Sequence, residues 1–244
     1  MEKVTVAALA QMKREGRKIV GVVLYDFPTA QIADRAGVDM VSVGDSVGAT
    51  LWGQSTETEV TIEELLIACK AVRRGAKRAL VSCDVPQGAV SAGVEAATAA
   101  AVRLAKEGGA DMVKVLGAPE LVRAIVRAGV PVFAEFHGDH ADPDQLVAEA
   151  RRLEEAGAAM LDFRHSGPIA GAAVSEAVSI PVIGGLGGGP WLDGRVRLAH
   201  TAIGYGAKWI DSKTETYVNT ARLALQAFTA LAEDVRAGRQ IKGG

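Results

Sequence analysis

The sequence has 244 residues, enough for one large hydrophobic core, and its 27 basic and 29 acidic residues give a net charge of -2. The two signs are interspersed, which argues against binding to nucleic acid or a membrane surface and favours a small polar substrate. Because the start of the chain does not have the pattern of a signal peptide and no apolar run reaches membrane-spanning length, we expect a cytoplasmic protein. Cys69 and Cys83 lack metal-binding or redox spacing, so we expect two buried thiols in a reducing compartment.

The first half of the chain alternates between helical and extended patterns. Thr5 is the predicted cap of the first helix, and Thr61 to Glu64 has the pattern of a capping box. A loop rich in Gly, Thr and Ser separates two of the elements and is long enough to be a functional lid. In order, we predict a helix over 4–15, a strand over 19–25, a helix over 28–36, a strand over 39–45, the loop over 46–60, a helix over 61–74, a strand over 79–84 and a helix over 91–107.

The second half repeats this alternation. We predict strands over 112–116, 130–137, 159–164 and 181–184, and helices over 119–128, 142–156 and 168–178. A glycine cluster over 184–189 then leads into a helix that ends near Gly204, a last strand over 207–210 and a last helix over 215–236. Eight strand-then-helix units predict a single (β/α)8 TIM barrel over 1–244 with an extra N-terminal helix. A doubly wound open sheet is the alternative fold.

Two of the predicted strands end on a carboxylate. Val41, Val43 and Asp45 share one face of an extended segment, which predicts that Asp45 lies at the rim of the core that the valines enter. Asp84 ends the next strand in the same way. Since the catalytic rim of such a barrel lies at the carboxyl ends of its strands, these two side chains predict a site for a hard divalent cation, Mg²⁺ or Mn²⁺.

Other polar side chains follow the remaining strands. Lys114 has apolar neighbours, which predicts an inward ammonium on the face that Val41 and Val43 occupy, and Glu135 and His137 share one face of their own strand. His137 with His140 suggests a weak metal pair, with two solvated histidines as the alternative interpretation. The glycine cluster is a candidate phosphate cradle. The remaining rim candidates are Ser46, Asp162, Arg164, His165, Asp211 and Lys213.

Six segments together resemble one enzyme family: 25–28 (Tyr-Asp-Phe-Pro), 43–48 (Val-Gly-Asp-Ser-Val-Gly), 70–76 (Lys-Ala-Val-Arg-Arg-Gly-Ala), 84–86 (Asp-Val-Pro), 112–114 (Met-Val-Lys) and 180–184 (Ile-Pro-Val-Ile-Gly). On these segments the chain resembles the ketopantoate hydroxymethyltransferase family, within the phosphoenolpyruvate mutase and isocitrate lyase superfamily of barrels. The resemblance implies a homo-oligomer of pantothenate biosynthesis that transfers a one-carbon unit from 5,10-methylenetetrahydrofolate, or formaldehyde, to a 2-oxo acid, 3-methyl-2-oxobutanoate. It also implies that Asp45 and Asp84 hold Mg²⁺, that Ser46 binds the substrate carboxylate and that Lys114 contacts the oxo acid.

The chain departs from the family pattern at four places. Leu116 stands where the family has a glutamate near the metal, Glu135 where it has a histidine, and Arg164 where it has the glutamate that acts as general base; the loop over 138–142 is shortened, which bears on the folate site. An arginine cannot accept a proton at ordinary pH, so Glu135 or Asp162 becomes the candidate base, or the reaction differs. Strand alternation makes Glu135 the nearest inward carboxylate and therefore the expected base. Arg164 would then suit a second carboxylate or a phosphate of the substrate.

Three hypotheses follow from these residues. The first is a ketopantoate hydroxymethyltransferase-like enzyme, with Lys114, Glu135 and Asp162 as catalytic residues and with Asp45, Ser46, Asp84, Lys114, His137 and Arg164 binding the substrate. The second is an aldolase or lyase of the same superfamily that acts on a dicarboxylic or phosphorylated 2-oxo acid without folate. The third is a non-catalytic barrel that binds a metabolite.

Overall fold

The computed structural model describes residues 2–138 and 142–243. It divides into two units, the first reaching Arg197 and the second starting at Leu198. The boundary falls inside the last strand of the sheet, and the prediction of one domain over 1–244 stays a prediction.

Eight parallel strands form a closed barrel in which each strand pairs with the next one along the chain. This topology confirms the predicted (β/α)8 barrel and excludes the open sheet. The strands are β1 (Ile19–Val23), β2 (Met40–Val43), β3 (Leu80–Asp84), β4 (Met112–Leu116), β5 (Val132–His137), β6 (Met160–Arg164), β7 (Val182–Gly184) and β8 (Gly194–Leu198).

Helices connect the strands and are capped largely as predicted. The Thr61 hydroxyl accepts a hydrogen bond from the Glu64 N–H, and the Glu64 carboxylate accepts one from the Thr61 N–H, which confirms the capping box. Loop 46–60 contains a π-helical turn over Gly48–Trp52 and a 3₁₀ turn over Glu57–Glu59. The helices of the first unit are α1 (Val6–Arg14), α2 (Phe27–Arg35), α3 (Ile62–Gly75), α4 (Gln87–Ser91), α5 (Val94–Lys106), α6 (Pro119–Arg127), α7 (Pro143–Glu155) and α8 (Pro168–Ala177).

A layer of large apolar side chains fills the barrel at the amino ends of its strands. Leu9 and Met12 of α1 pack against this layer, so the extra N-terminal helix closes that end of the barrel. The strand residues of the layer are Ile19, Met40, Leu80, Met112, Phe133, Met160, Ile183 and Val196. Because this end is filled with apolar groups, polar chemistry is left to the opposite end.

The predicted orientation of β2 is wrong. Met40 enters the inner layer and Ser42 contacts the inward Ser82 of β3, with 3.4 Å between the two Oγ atoms, so alternation turns Val41 and Val43 towards the helices. The valines are buried all the same, because both faces of a parallel barrel strand are covered, and burial therefore did not reveal the orientation. Asp45 reaches the rim after β2 has ended and the chain has turned.

The predicted last strand over 207–210 is also wrong. The eighth strand is β8, in which Val196 faces the core while Arg195 and Arg197 are exposed, and this alternation has the period of a strand. No helix is assigned in the described connection between β7 and β8, and the predicted helix that ends near Gly204 is reduced to one short helix after β8. The second unit contains α9 (Ala199–Ala202), a 3₁₀ turn over Ala207–Trp209 and α10 (Thr220–Arg236).

Three aspartates repeat one arrangement at the amino ends of the strands, and we call them the amino-end aspartates: Asp39, Asp111 and Asp193. Each donates its N–H to a carbonyl of the preceding strand and accepts the N–H of that same residue on its carboxylate. The strand residues are Val20, Val81 and Val182 respectively. Each carboxylate also contacts a basic side chain, Arg17 for Asp39, Lys3 and Arg73 for Asp111, and Lys13 for Asp193.

Two expectations from composition can be compared with this structure. Within the described residues, no helix combines the length and apolarity needed to cross a membrane. Cys69 and Cys83 are buried free thiols, as predicted, and burial raises the pKa of the Cys83 thiol well above its usual range.

Candidate active site

Charged side chains of four adjacent strands meet at the carboxyl end of the barrel. The strand register sets Asp84 of β3 beside Lys114 of β4, and Glu135 of β5 beside Asp162 of β6. Arg164 of β6 lies beside the end of β5. Asp211 and Lys213 were predicted to end the last strand, but they follow a 3₁₀ turn of the second unit instead, because the eighth strand lies earlier in the chain.

Lys114 is held between two carboxylates. Its Nζ contacts Oε2 of Glu135 and lies 3.1 Å from Oδ2 of Asp162. Burial by itself favours the neutral amine, but the negative charges of Asp84, Asp162 and Glu135 outweigh it and raise the pKa of Lys114 above its usual range. These contacts favour the charged ammonium, which suits stabilisation of an anion better than a role as a neutral nucleophile.

Glu135 is contacted by three basic side chains. Besides Lys114, the Arg164 guanidinium donates to its Oε1 at 2.7 Å, and Nε2 of His137 lies 2.8 Å from the same oxygen. Burial works to raise the pKa of Glu135, but Lys114, His137 and Arg164 together lower it to about 2. Glu135 is therefore ionised at neutral pH. Arg164, the candidate partner of a second substrate carboxylate, is engaged with a carboxylate of the protein itself.

Asp84 has the environment of a cation ligand. Its Oδ1 is buried and has no hydrogen-bond partner among the described residues. Burial, opposed by Lys114 and reinforced by Asp45, raises the pKa of Asp84 to about 7. A buried carboxylate oxygen without a donor fits a divalent cation, which would replace the missing partner and the missing positive charge.

Asp45 and Asp84 lie close enough for the charge of Asp45 to raise the pKa of Asp84, and together they offer carboxylate oxygens to a cation. No group of three or more His, Cys, Asp or Glu side chains suitable for a metal occurs within residues 2–138 and 142–243. Leu116, which replaces the family's glutamate, is 54% exposed and offers no donor atom. The donor set therefore fits Mg²⁺, which commonly binds one or two carboxylates and takes its other ligands from water and substrate.

Ser46 is positioned by a residue that the sequence analysis did not include among the site candidates. The Tyr25 hydroxyl lies 2.9 Å from the Ser46 Oγ, and Tyr25 lies two residues beyond the end of β1. A Cβ on Gly44 would come within 2.9 Å of the Ser46 Oγ and 3.5 Å of Asp84 Oδ2, so glycine keeps this space open. The position of Tyr25 just after a strand was the signal that could have identified it.

The glycine cluster and the histidines line the same rim. The Gly185 N–H donates to Asp162 Oδ1 at 3.3 Å, so this amide serves a carboxylate; the phosphate cradle stays a prediction. The rings of His137 and His165 lie 6.3 Å apart, and His165 has a φ of 55°, an uncommon conformation for a residue other than glycine. His140, the other member of the suggested metal pair, lies outside the described residues.

Known proteins resemble this chain in sequence and in fold. The family model described as ketopantoate hydroxymethyltransferase matches residues 3–138 and 135–240. The 3-methyl-2-oxobutanoate hydroxymethyltransferase of Geobacillus kaustophilus is 35% identical over 92% of this chain and 87% of its own length. Two solved structures share the fold. 2,3-Dimethylmalate lyase, a member of the PEP mutase/isocitrate lyase superfamily, has a TM-score of 0.60 at 18% identity and covers 96% of this chain and 88% of its own. Phosphoenolpyruvate phosphomutase of Streptomyces platensis has a TM-score of 0.64 at 14% identity, with the same coverage of both chains.

Proposed function

The chain belongs to the ketopantoate hydroxymethyltransferase family, and from that premise we propose that it removes a proton beside the carbonyl of a 2-oxo acid and joins a one-carbon unit to that carbon. The observation that carries this proposal is the charge pattern of the rim. A protonated Lys114 touches two carboxylates and faces a third, Asp84, whose oxygen lacks a partner. Such a set combines an acceptor for a proton with positive charge for the anion that forms.

Lys114 stabilises negative charge in this proposal. Loss of the proton from the substrate carbon leaves an enolate, whose charge lies largely on the carbonyl oxygen. The Lys114 ammonium is held at a fixed place by Glu135 and Asp162, so it needs no rearrangement when that charge develops. The enolate carbon then attacks the one-carbon donor and forms the new C–C bond. With formaldehyde, the C=O double bond opens and its oxygen takes up a proton. With 5,10-methylenetetrahydrofolate, the C–N bonds of the methylene carbon break, tetrahydrofolate leaves and water supplies the hydroxyl group.

Asp162 is the proton acceptor in this proposal. Glu135 is held ionised by three basic groups, and with a pKa of about 2 it is a weak base. Asp162 also contacts Lys114, but its other oxygen accepts only a 3.3 Å hydrogen bond from the Gly185 amide among the contacts described for it. Its side chain is 4% exposed, which keeps bulk water away from the proton-transfer step.

Asp45 and Asp84 would hold a divalent cation, Mg²⁺ or Mn²⁺. When bound, the cation would polarise the substrate carbonyl and make the neighbouring C–H bond more acidic. Ser46, fixed by Tyr25, would donate a hydrogen bond to the substrate carboxylate, and His137 and Arg164 would complete the binding surface at the mouth. We extend the proposal to a homo-oligomer in the cytoplasm that serves pantothenate biosynthesis, on the basis of family membership alone.

The proposal of a lyase for dicarboxylic or phosphorylated acids depended on Arg164. Arg164 was the feature that favoured a second acidic group on the substrate. Because Arg164 contacts Glu135, it gives the lyase hypothesis little support. A non-catalytic barrel is also disfavoured, because the buried charges of the rim are costly without a function.

Proton exchange tests the proposed reaction directly. The enzyme with Mg²⁺ and 3-methyl-2-oxobutanoate in D₂O should replace the substrate proton beside the carbonyl, and NMR follows its loss. Addition of the folate donor or formaldehyde should then yield the hydroxymethylated acid. An enzyme that shows neither exchange nor product with either donor would disprove the proposal.

A further inference from the structure

Three basic side chains of three different strands converge on one carboxylate of the protein. Lys114 from β4 contacts one oxygen of Glu135, while His137 from β5 and Arg164 from β6 contact the other. The Glu135 side chain is 11% exposed, whereas Arg164 is 30% and His137 41% exposed. Glu135 therefore lies below the two basic groups that a substrate entering the mouth would meet first.

We propose that Glu135 determines substrate specificity by holding the place of a second acidic group, so that the enzyme accepts 2-oxo acids with one carboxylate and rejects those with two. This inference rests on the proposed function and names the substrate class of the same site. An arginine that faces a binding site commonly pairs with a carboxylate of the ligand. Here the Glu135 carboxylate already accepts a hydrogen bond from the Arg164 guanidinium.

The charges at the rim also favour a substrate with one carboxylate. Four carboxylates, Asp45, Asp84, Glu135 and Asp162, lie with two cations, Lys114 and Arg164. A divalent cation would balance this set, and a substrate with one carboxylate would add one negative charge. A second carboxylate would come close to Glu135, where like charges in a partly buried site repel strongly.

Glu135→Gln isolates this role. Glutamine keeps the shape of the side chain and removes its charge, so the second carboxylate of a substrate would meet Arg164 and His137 without repulsion. A charge-assisted hydrogen bond gained in such a place corresponds to roughly 10- to 100-fold in affinity. We expect the dissociation constant of 2-oxoglutarate, relative to that of 3-methyl-2-oxobutanoate, to fall by this factor in Glu135→Gln.

The experiment is isothermal titration calorimetry with Mg²⁺ and these two acids, which have the same number of carbon atoms, on four proteins: wild type, Glu135→Gln, Arg164→Gln and the double variant. Wild type should bind the monocarboxylic acid more tightly. Arg164→Gln alone should leave the ratio of the two dissociation constants within about twofold of wild type. The double variant should lose the gain in relative affinity for 2-oxoglutarate that Glu135→Gln shows. Thermal denaturation of each variant checks folding.

Two results would overturn the inference. One is a folded Glu135→Gln protein in which the ratio of the two dissociation constants equals that of wild type, or a double variant that keeps the gain in 2-oxoglutarate affinity without Arg164. The other is an Arg164→Gln protein in which 2-oxoglutarate binding falls selectively, because Arg164 would then already serve that ligand in the wild type. A wild type that binds both acids but transfers no one-carbon unit would contradict the proposed function, and the affinity ratios would still test the role of Glu135.

Discussion

Asp162 and Glu135 touch the same ammonium but have different neighbours, and this difference separates their roles. If Asp162 accepts the substrate proton, Asp162→Asn should slow exchange of that proton into D₂O by roughly 10²- to 10⁴-fold, the usual contribution of a general base. Glu135→Gln should retain measurable exchange, since Glu135 is too weak a base to be the acceptor. NMR measures both rates. The assignment fails if Glu135→Gln loses exchange while Asp162→Asn keeps it.

Asp84 is the residue whose replacement tests the cation. Its unpartnered buried oxygen predicts that Mg²⁺ or Mn²⁺ binding, measured by calorimetry, disappears in Asp84→Ala. Asp111→Asn is a matched control, because it changes an aspartate at the opposite end of the barrel and should leave cation binding intact. Equal affinities in wild type and Asp84→Ala would exclude this carboxylate as a ligand.

Glu135 also predicts a dependence of stability on pH. Its pKa falls from near 4.5 to about 2 on folding, so its stabilising effect is complete above pH 4.5 and is lost as the pH falls from there towards 2. The difference in unfolding free energy between wild type and Glu135→Gln should therefore shrink by roughly 2 kcal/mol between pH 6 and pH 3. Urea denaturation at the two pH values measures it, and a difference that is constant or larger at pH 3 would contradict the prediction.

At this scale the sequence revealed which residues matter better than it revealed their partners. An inward Lys114 followed from its apolar neighbours, and the need for acidic partners followed from its charge. The pairing of Arg164 with Glu135 did not follow, because it depends on β5 and β6 being adjacent and in a register that sets Glu135 beside Asp162. Because the register is not visible in the sequence, Arg164 was interpreted as available to a carboxylate of the substrate.

The strands are held at their amino ends by the amino-end aspartates. Asp111→Ala removes the acceptor of the Val81 N–H and the partner of Arg73, which leaves a partly buried donor and charge unpaired. We expect a loss of roughly 2–3 kcal/mol in unfolding free energy. Glu107→Ala, which breaks an exposed pair with Arg103, should cost much less stability. Chemical denaturation compares the two, and equal losses would show that the strand contact adds nothing.

Some elements were predictable because their patterns are local, and others were not. The cap at Thr5 and the capping box at Thr61 are encoded within a few residues, and both are present in the structure. β8 was missed because a single alternation over Gly194–Leu198 is short, and because the barrel rhythm suggested a helix after the glycine cluster. The closing strand is fixed by pairing with β7, which is tertiary information.

The whole chain should respond to the cation through linkage. A ligand that binds only the folded state at about 100 times its dissociation constant adds roughly 2.7 kcal/mol of stability, which corresponds to a rise of about 5–11 °C in melting temperature for a chain of this size. Differential scanning calorimetry with and without Mg²⁺ should show this rise in wild type. The rise should be absent in Asp84→Ala, and an equal rise in both would indicate binding elsewhere.

The plug formed by Leu9 and Met12 of α1, together with the amino-end aspartates, lies at the opposite end of the barrel from the charged mouth. This separation bears on how such an enzyme diverges. Substitutions at the mouth can change the substrate site while the other end of the barrel keeps the strands folded. A directed-evolution library randomised at positions 116 and 164, which keeps Glu135 and its contact with Lys114, should therefore retain mostly folded members, and new substrate preferences can be selected from it without prior stabilisation.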